Sequence, residues 1–157
     1  MYRKTISEEE AFTKIKHYCG YQERCHSEVK DKLYSFGLYK QQVEKLISNL
    51  IQDNYLNEER FAIQYAGGKF RMKQWGRRKI EYELRQKNVS IFCIKLSLKE
   101  IPEEDYMASL KKLATAKWKA VAGDQLMSRL AKTQAYLVQK GYEPSLIQQQ
   151  LQQLQEK

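Results

Sequence analysis

The stretch NEERFAIQYAGGKFRMKQWGRRKIEYELRQKNV, residues 57–89, decides the fold. Glu58 and Glu59 complement the dipole of a helix start, and Asn57 before them is a good N-cap. Phe61 follows as an inward-facing aromatic. Toward the other end, Leu84 stands four residues before Asn88, and Val89 one after it. Asn ranks next after Gly in tolerating the left-handed conformation that closes a helix. The stretch therefore reads as two helices, 57–74 and 76–87, closed by a chain reversal. Gly67-Gly68-Lys69 lacks the G-x-x-x-x-G-K-[ST] pattern and follows no buried strand, so a nucleotide-binding loop is rejected. Two glycines within a helix cost about 2 kcal/mol relative to alanine. That cost predicts either a second helix passing close to them or a tolerated kink. Gly76, with Trp75, marks the helix junction, so that Arg77 and Arg78 begin the next helix.

Working outward, the same pattern recurs on both sides. Gly37, Asn88 and Gly141 share a column, 51 and then 53 residues apart. Four residues earlier stand Leu33, Leu84 and Leu137; one later, Leu38, Val89 and Tyr142. Six later come Val43, Ile94 and Ile147; ten later, Ile47, Leu98 and Leu151; thirteen later, Leu50, Ile101 and Leu154. This is helical spacing after a glycine-type turn. A second signature precedes each hairpin: EEAF ending at Phe12, EERF at Phe61, EEDY at Tyr106. Ser7 and Glu10 form a capping-box pattern, and Pro102 suits the first helical position. Three helices per repeat follow, at 7–19, 26–36 and 39–53; 57–74, 76–87 and 90–100; 103–121, 124–139 and 144–155. The expected fold is all-α: three tandem three-helix repeats, 1–56, 57–101 and 102–157, in an elongated, curved array whose neighbours bury one another's apolar faces. Scarce proline and glycine, and the absence of Val-, Ile- and Thr-rich alternation, agree with it.

The chain carries a formal net charge of +9, which favours a polyanionic partner. The excess is concentrated. Residues 1–56 hold nine basic and eight acidic groups, 57–101 eleven and five, and 102–157 eight and six. Lys69, Arg71, Lys73, Arg77, Arg78, Lys79 and Arg85, with Trp75 among them, form the candidate docking surface. Arginine suits paired contacts to carboxylate or phosphate. The competing reading is a solvated face with Glu81–Arg85 and Glu83–Lys87 pairs. Trp75 is either an exposed interface anchor or packing within the fold; Trp118 is expected to pack within the third repeat. The tyrosines form no regularly spaced platform for stacking bases.

Other chemistry is not supported. His17, Cys19, Cys25 and His26 match no standard zinc spacing, and Cys93 reads as core. No catalytic constellation is present, so neither an enzyme nor a cofactor is expected. MYRKTISEEE lacks the apolar core of a signal peptide, and no run approaches the ~18–20 apolar residues of a membrane span. With an odd number of cysteines, these features predict a cytoplasmic protein with reduced thiols.

The middle unit resembles the RecX family of recombinase regulators. The resemblance is carried by NEERFA from Asn57 to Ala62, Tyr65, the G-R-R-x-I run from Gly76 to Ile80, Glu83-Leu84 and Asn88-Val89. Ser27, Glu28, Lys32-Leu33 and Gly37 extend it to the first unit. The family usually has an acid in place of Asn57 and a glycine in place of Asn88; both replacements can do the same local job. The resemblance implies three tandem three-helix units. It also implies binding to the RecA recombinase filament on single-stranded DNA, with reduced ATP hydrolysis and strand exchange. On that basis the expected partners are RecA and single-stranded DNA within its filament, with no membrane and no small-molecule substrate, and the protein is expected to be a monomer. The alternative is a stand-alone DNA-binding protein of helix-turn-helix-like repeats.

Overall fold

The computed structural model describes residues 6–156; the start of the MYRKTISEEE stretch, residues 1–5, lies outside them. Among the described residues all regular structure is helical. The elements are α1 (Glu8–Tyr21), α2 (His26–Ser35), α3 (Lys40–Gln52), α4 (Glu58–Lys73), α5 (Arg77–Gln86), α6 (Ile91–Lys99), α7 (Glu103–Ala120), α8 (Leu126–Lys140) and α9 (Pro144–Gln155). Each lies within two residues of its predicted span. None is long and apolar enough to cross a membrane.

Local chemistry explains the boundaries. Gly37, Asn88 and Gly141 all adopt positive φ, at 86°, 61° and 98°, and so close α2, α5 and α8. The Ser7 hydroxyl accepts from the Glu10 amide at 3.1 Å, and Asn57 Oδ1 accepts from the Arg60 amide at 2.9 Å. Pro102 departs from expectation. With ψ at 132° it is the extended N-cap of α7, and Glu103 is the first helical residue. Pro144 occupies the first turn of α9 instead. Asn54 and Gln74 also have positive φ, at 64° and 58°. The second is unfavourable for a long side chain.

The chain forms two compact units: residues up to Gln64 with Leu84–Leu96, and Tyr65–Glu83 with the chain from Ser97 onward. In the first, α1, α2 and α3 pack around Ala11, Ile15, Val29, Leu33, Val43 and Leu50, all fully buried. Phe12 is only partly buried; Ala11 takes the inner position of that signature. Ser27 Oγ donates to Lys87 O at 2.8 Å. Arg60 pairs with Glu23 and bonds the Asn54 carbonyl at 3.1 Å, tying the start of α4 to the turn after α3.

In the second unit, α7, α8 and α9 pack on one another. Tyr106 is fully buried, stacked on Phe70 at 5.9 Å and tilted against Tyr142 at 5.1 Å between centroids. Trp118 is buried here, as expected. One device recurs in both units. Arg24 Nε donates to Tyr18 O at 3.0 Å while its guanidinium lies 3.7 Å from the Tyr18 ring centroid. Arg129 does the same to Trp118, at 3.0 and 3.7 Å. Each arginine thus satisfies a carbonyl in the last turn of a helix and covers an aromatic face.

Candidate docking surface

The second unit contains the basic run from Lys69 to Lys79. Its geometry is set where the α4–α5 turn meets the end of α8. The Gly76 amide donates to Lys140 O at 2.7 Å, and the Arg78 amide to Gly141 O at 2.9 Å. Two amides at the start of α5 are thereby satisfied by the last carbonyls of α8, joining opposite dipole ends. Gly76 and Gly141 are required for this approach. A Cβ on Gly76 would fall on the Gly141 carbonyl and the Tyr142 nitrogen, and one on Gly141 would fall on Lys79.

The predicted close approach at Gly67 and Gly68 is not found. A Cβ on Gly68 would meet nothing within 4 Å, and one on Gly67 would meet only the guanidinium of Arg71, from its own helix. Of the three glycines in this segment, only Gly76 lies against the backbone of another helix's end.

Arg77 differs from its basic neighbours. Its backbone amide donates to Tyr106 Oη at 2.9 Å, and its guanidinium lies 3.8 Å from that ring's centroid. The guanidinium pairs with Glu143 at 2.7 Å and also with Glu103. Tyr106 in turn donates to Glu143. Burial opposes the charge on Arg77, but the hydrogen bond and charge of Glu143, with Tyr106 and Glu103, hold its pKa above the ordinary value. Burial, reinforced by Glu143, pushes the Tyr106 phenol well above its usual range, so it remains a donor. Arg77 is therefore neutralised within the fold, where the sequence reading placed a docking cation.

The remaining candidates fall into two groups. Lys69 and Lys79 place their ammonium groups 5.0 and 4.7 Å from the Trp75 ring centroid, and Tyr65 meets that ring edge-on at 6.5 Å. Trp75 is half-buried beneath its own lysines. Arg71, Lys73 and Arg78 are exposed and make no ion pair among the described residues. Met72 lies between them in sequence and is 83% exposed. Lys140, which sequence reasoning passed over, bonds Lys73 O at 3.1 Å and adds a cation at the same place. A basic residue ending a helix was its only signal. Arg85 belongs to the first unit. The arrangement can hold an extended anionic surface.

Among the cysteines, Cys19 lies in the last turn of α1 and Cys25 is the N-cap of α2. Both thiols are buried, as is Cys93. Burial raises the Cys19 pKa to about 11.

Comparison with known proteins agrees with this architecture. Residues 57–98 match the family description "RecX, second three-helix domain", and residues 103–151 match "RecX, third three-helix domain". The chain is 24% identical over 144 residues to "Regulatory protein RecX" of Oceanobacillus iheyensis, covering 92% of this chain and 53% of that one. It is 29% identical over 140 residues to the protein of that name from Bacillus mycoides, covering 89% and 52%. The chain thus spans about half the length of these curated relatives. The crystal structure of RecX from Lactobacillus salivarius superposes with a TM-score of 0.87 at 21% identity, over 96% of this chain and 97% of that one. A second, the crystal structure of regulatory protein RecX, gives 0.82 at 23% identity, over 90% and 70%.

Proposed function

The chain belongs to the RecX family, and from that premise we propose that it binds the RecA recombinase on single-stranded DNA and restrains its ATP hydrolysis and strand exchange. The observation that carries the reading is the set of unpaired cations Arg71, Lys73 and Arg78 on the second unit, with Lys140 beside them. A filament of acidic protein surface and DNA phosphates is a complementary partner. The three-helix repeats at 1–56, 57–101 and 102–157 are part of the same reading. So are a purely regulatory role without catalysis and a cytoplasmic location.

The alternative is stand-alone DNA binding by helix-turn-helix-like repeats, which would draw little on base stacking because Lys69 and Lys79 lie over the Trp75 ring. The test is ATP hydrolysis by RecA on single-stranded DNA with increasing amounts of this protein. Dose-dependent loss is expected. Unchanged hydrolysis at saturating protein overturns the proposal, and tight binding to bare DNA without RecA favours the alternative.

A further inference from the structure

We infer that Glu143 is a positioning residue for the docking surface, acting through Tyr106 and Arg77; the inference rests on the function proposed above. Three residues form a closed ring. The Arg77 amide donates to Tyr106 Oη, Tyr106 donates to one oxygen of Glu143, and the Arg77 guanidinium returns to the other oxygen. Glu143 is the N-cap of α9, Tyr106 lies in the first turn of α7 and Arg77 starts α5. The ring therefore fixes the first residue of α5 to two other helices.

Trp75 and Arg78 flank Arg77 in the chain, and Lys79 follows. The direction of their side chains depends on the backbone that the ring holds. Independent observations show that this backbone is held closely against the end of α8. Gly76 and Gly141 leave no space for even a Cβ, and the amides of Gly76 and Arg78 both bond α8 carbonyls. Gln74 holds a positive φ of 58°, and its carbonyl is bonded by Tyr142 Oη at 3.1 Å. An unfavourable conformation persists where its surroundings determine it. With Glu143 removed, the Tyr106 hydroxyl and the Arg77 guanidinium both lose an acceptor, and the turn loses its link to α9.

Trp75 reports on the turn directly. In a Trp118→Phe background it is the single tryptophan, half-buried under Lys69 and Lys79. Three variants in that background are compared: Glu143→Ala, the milder Tyr106→Phe, and Val29→Ala, which opens a cavity in the first unit's core. The readouts are acrylamide quenching of Trp75, thermal midpoint, and affinity for RecA filaments on single-stranded DNA. Glu143→Ala and Tyr106→Phe are expected to raise quenching about twofold and to weaken filament affinity by about tenfold, as for loss of a charged hydrogen bond. Val29→Ala is expected to lower the midpoint while leaving quenching and affinity unchanged. If both ring variants fold and quench like the background, the inference is overturned whatever their affinity. Equal loss of affinity in Val29→Ala overturns it too, since general destabilisation then suffices. If the background protein does not bind filaments at all, the proposed function fails, and the quenching comparison still decides the positioning role.

Discussion

Glycine at two positions of one segment answers to opposite constraints. Gly76 lies against the Gly141 backbone, so Gly76→Ala forces the turn away from α8. It is expected to cost about 2–3 kcal/mol in urea denaturation, in the range of overpacked cores. Gly68 faces open space within α4, so Gly68→Ala is expected to stabilise by about 0.5–1 kcal/mol in the same measurement. Cys19 adds a pH dependence with a defined sign. Its thiol has a folded pKa of about 11, raised by burial from 9.0. A raised pKa means the folded state favours the protonated thiol. That stability is complete below pH 9.0 and is lost as pH rises toward about 11. Urea midpoints at pH about 8 and about 10.5 should therefore fall less steeply in Cys19→Ser than in the parent protein. At this scale the sequence identified Gly76 as a junction and Cys93 as buried. It misassigned Gly67 and Gly68, because whether a helix has a close neighbour is decided by residues far away in the chain.

Helices were the most legible level. Caps and turns act within a few residues, so Ser7, Asn57 and the left-handed Gly37, Asn88 and Gly141 could be placed from local sequence alone. Pro102 missed by one position because proline is compatible with both the cap and the first turn, and only its ψ separates them. The arginine clamps on Tyr18 and Trp118 had no sequence signal; Arg24 and Arg129 stand at unequal distances from their aromatics. Each clamp combines a carbonyl hydrogen bond with ring stacking. Arg24→Met and Arg129→Met are each expected to lower stability by about 1–2 kcal/mol in chemical denaturation. Lysine at either site should not restore it, because an ammonium cannot stack its plane while donating sideways. Full recovery by lysine would show that charge alone matters there.

For the whole molecule, the decisive contrast is between adjacent arginines. Arg78→Glu should leave the thermal midpoint nearly unchanged and weaken inhibition of RecA ATP hydrolysis by about tenfold, more so at low salt. Arg77→Ala should lower the midpoint, because it strands Glu143 beside the buried Tyr106, and should weaken inhibition only through the displaced turn. If the two variants have the same thermal midpoint, the separation of structural from docking cations is wrong. The sequence by itself determined the helices, their turns and the segment holding the excess charge, since periodicity, capping and composition are local or additive properties, and its motifs carried the family resemblance. Only the tertiary structure decided which of those charges are available. Arg77 and Arg78 are indistinguishable in a basic run, yet one is neutralised by carboxylates 26 and 66 residues away and the other is exposed. Coulomb pairing depends on distance in space, which residue order does not fix.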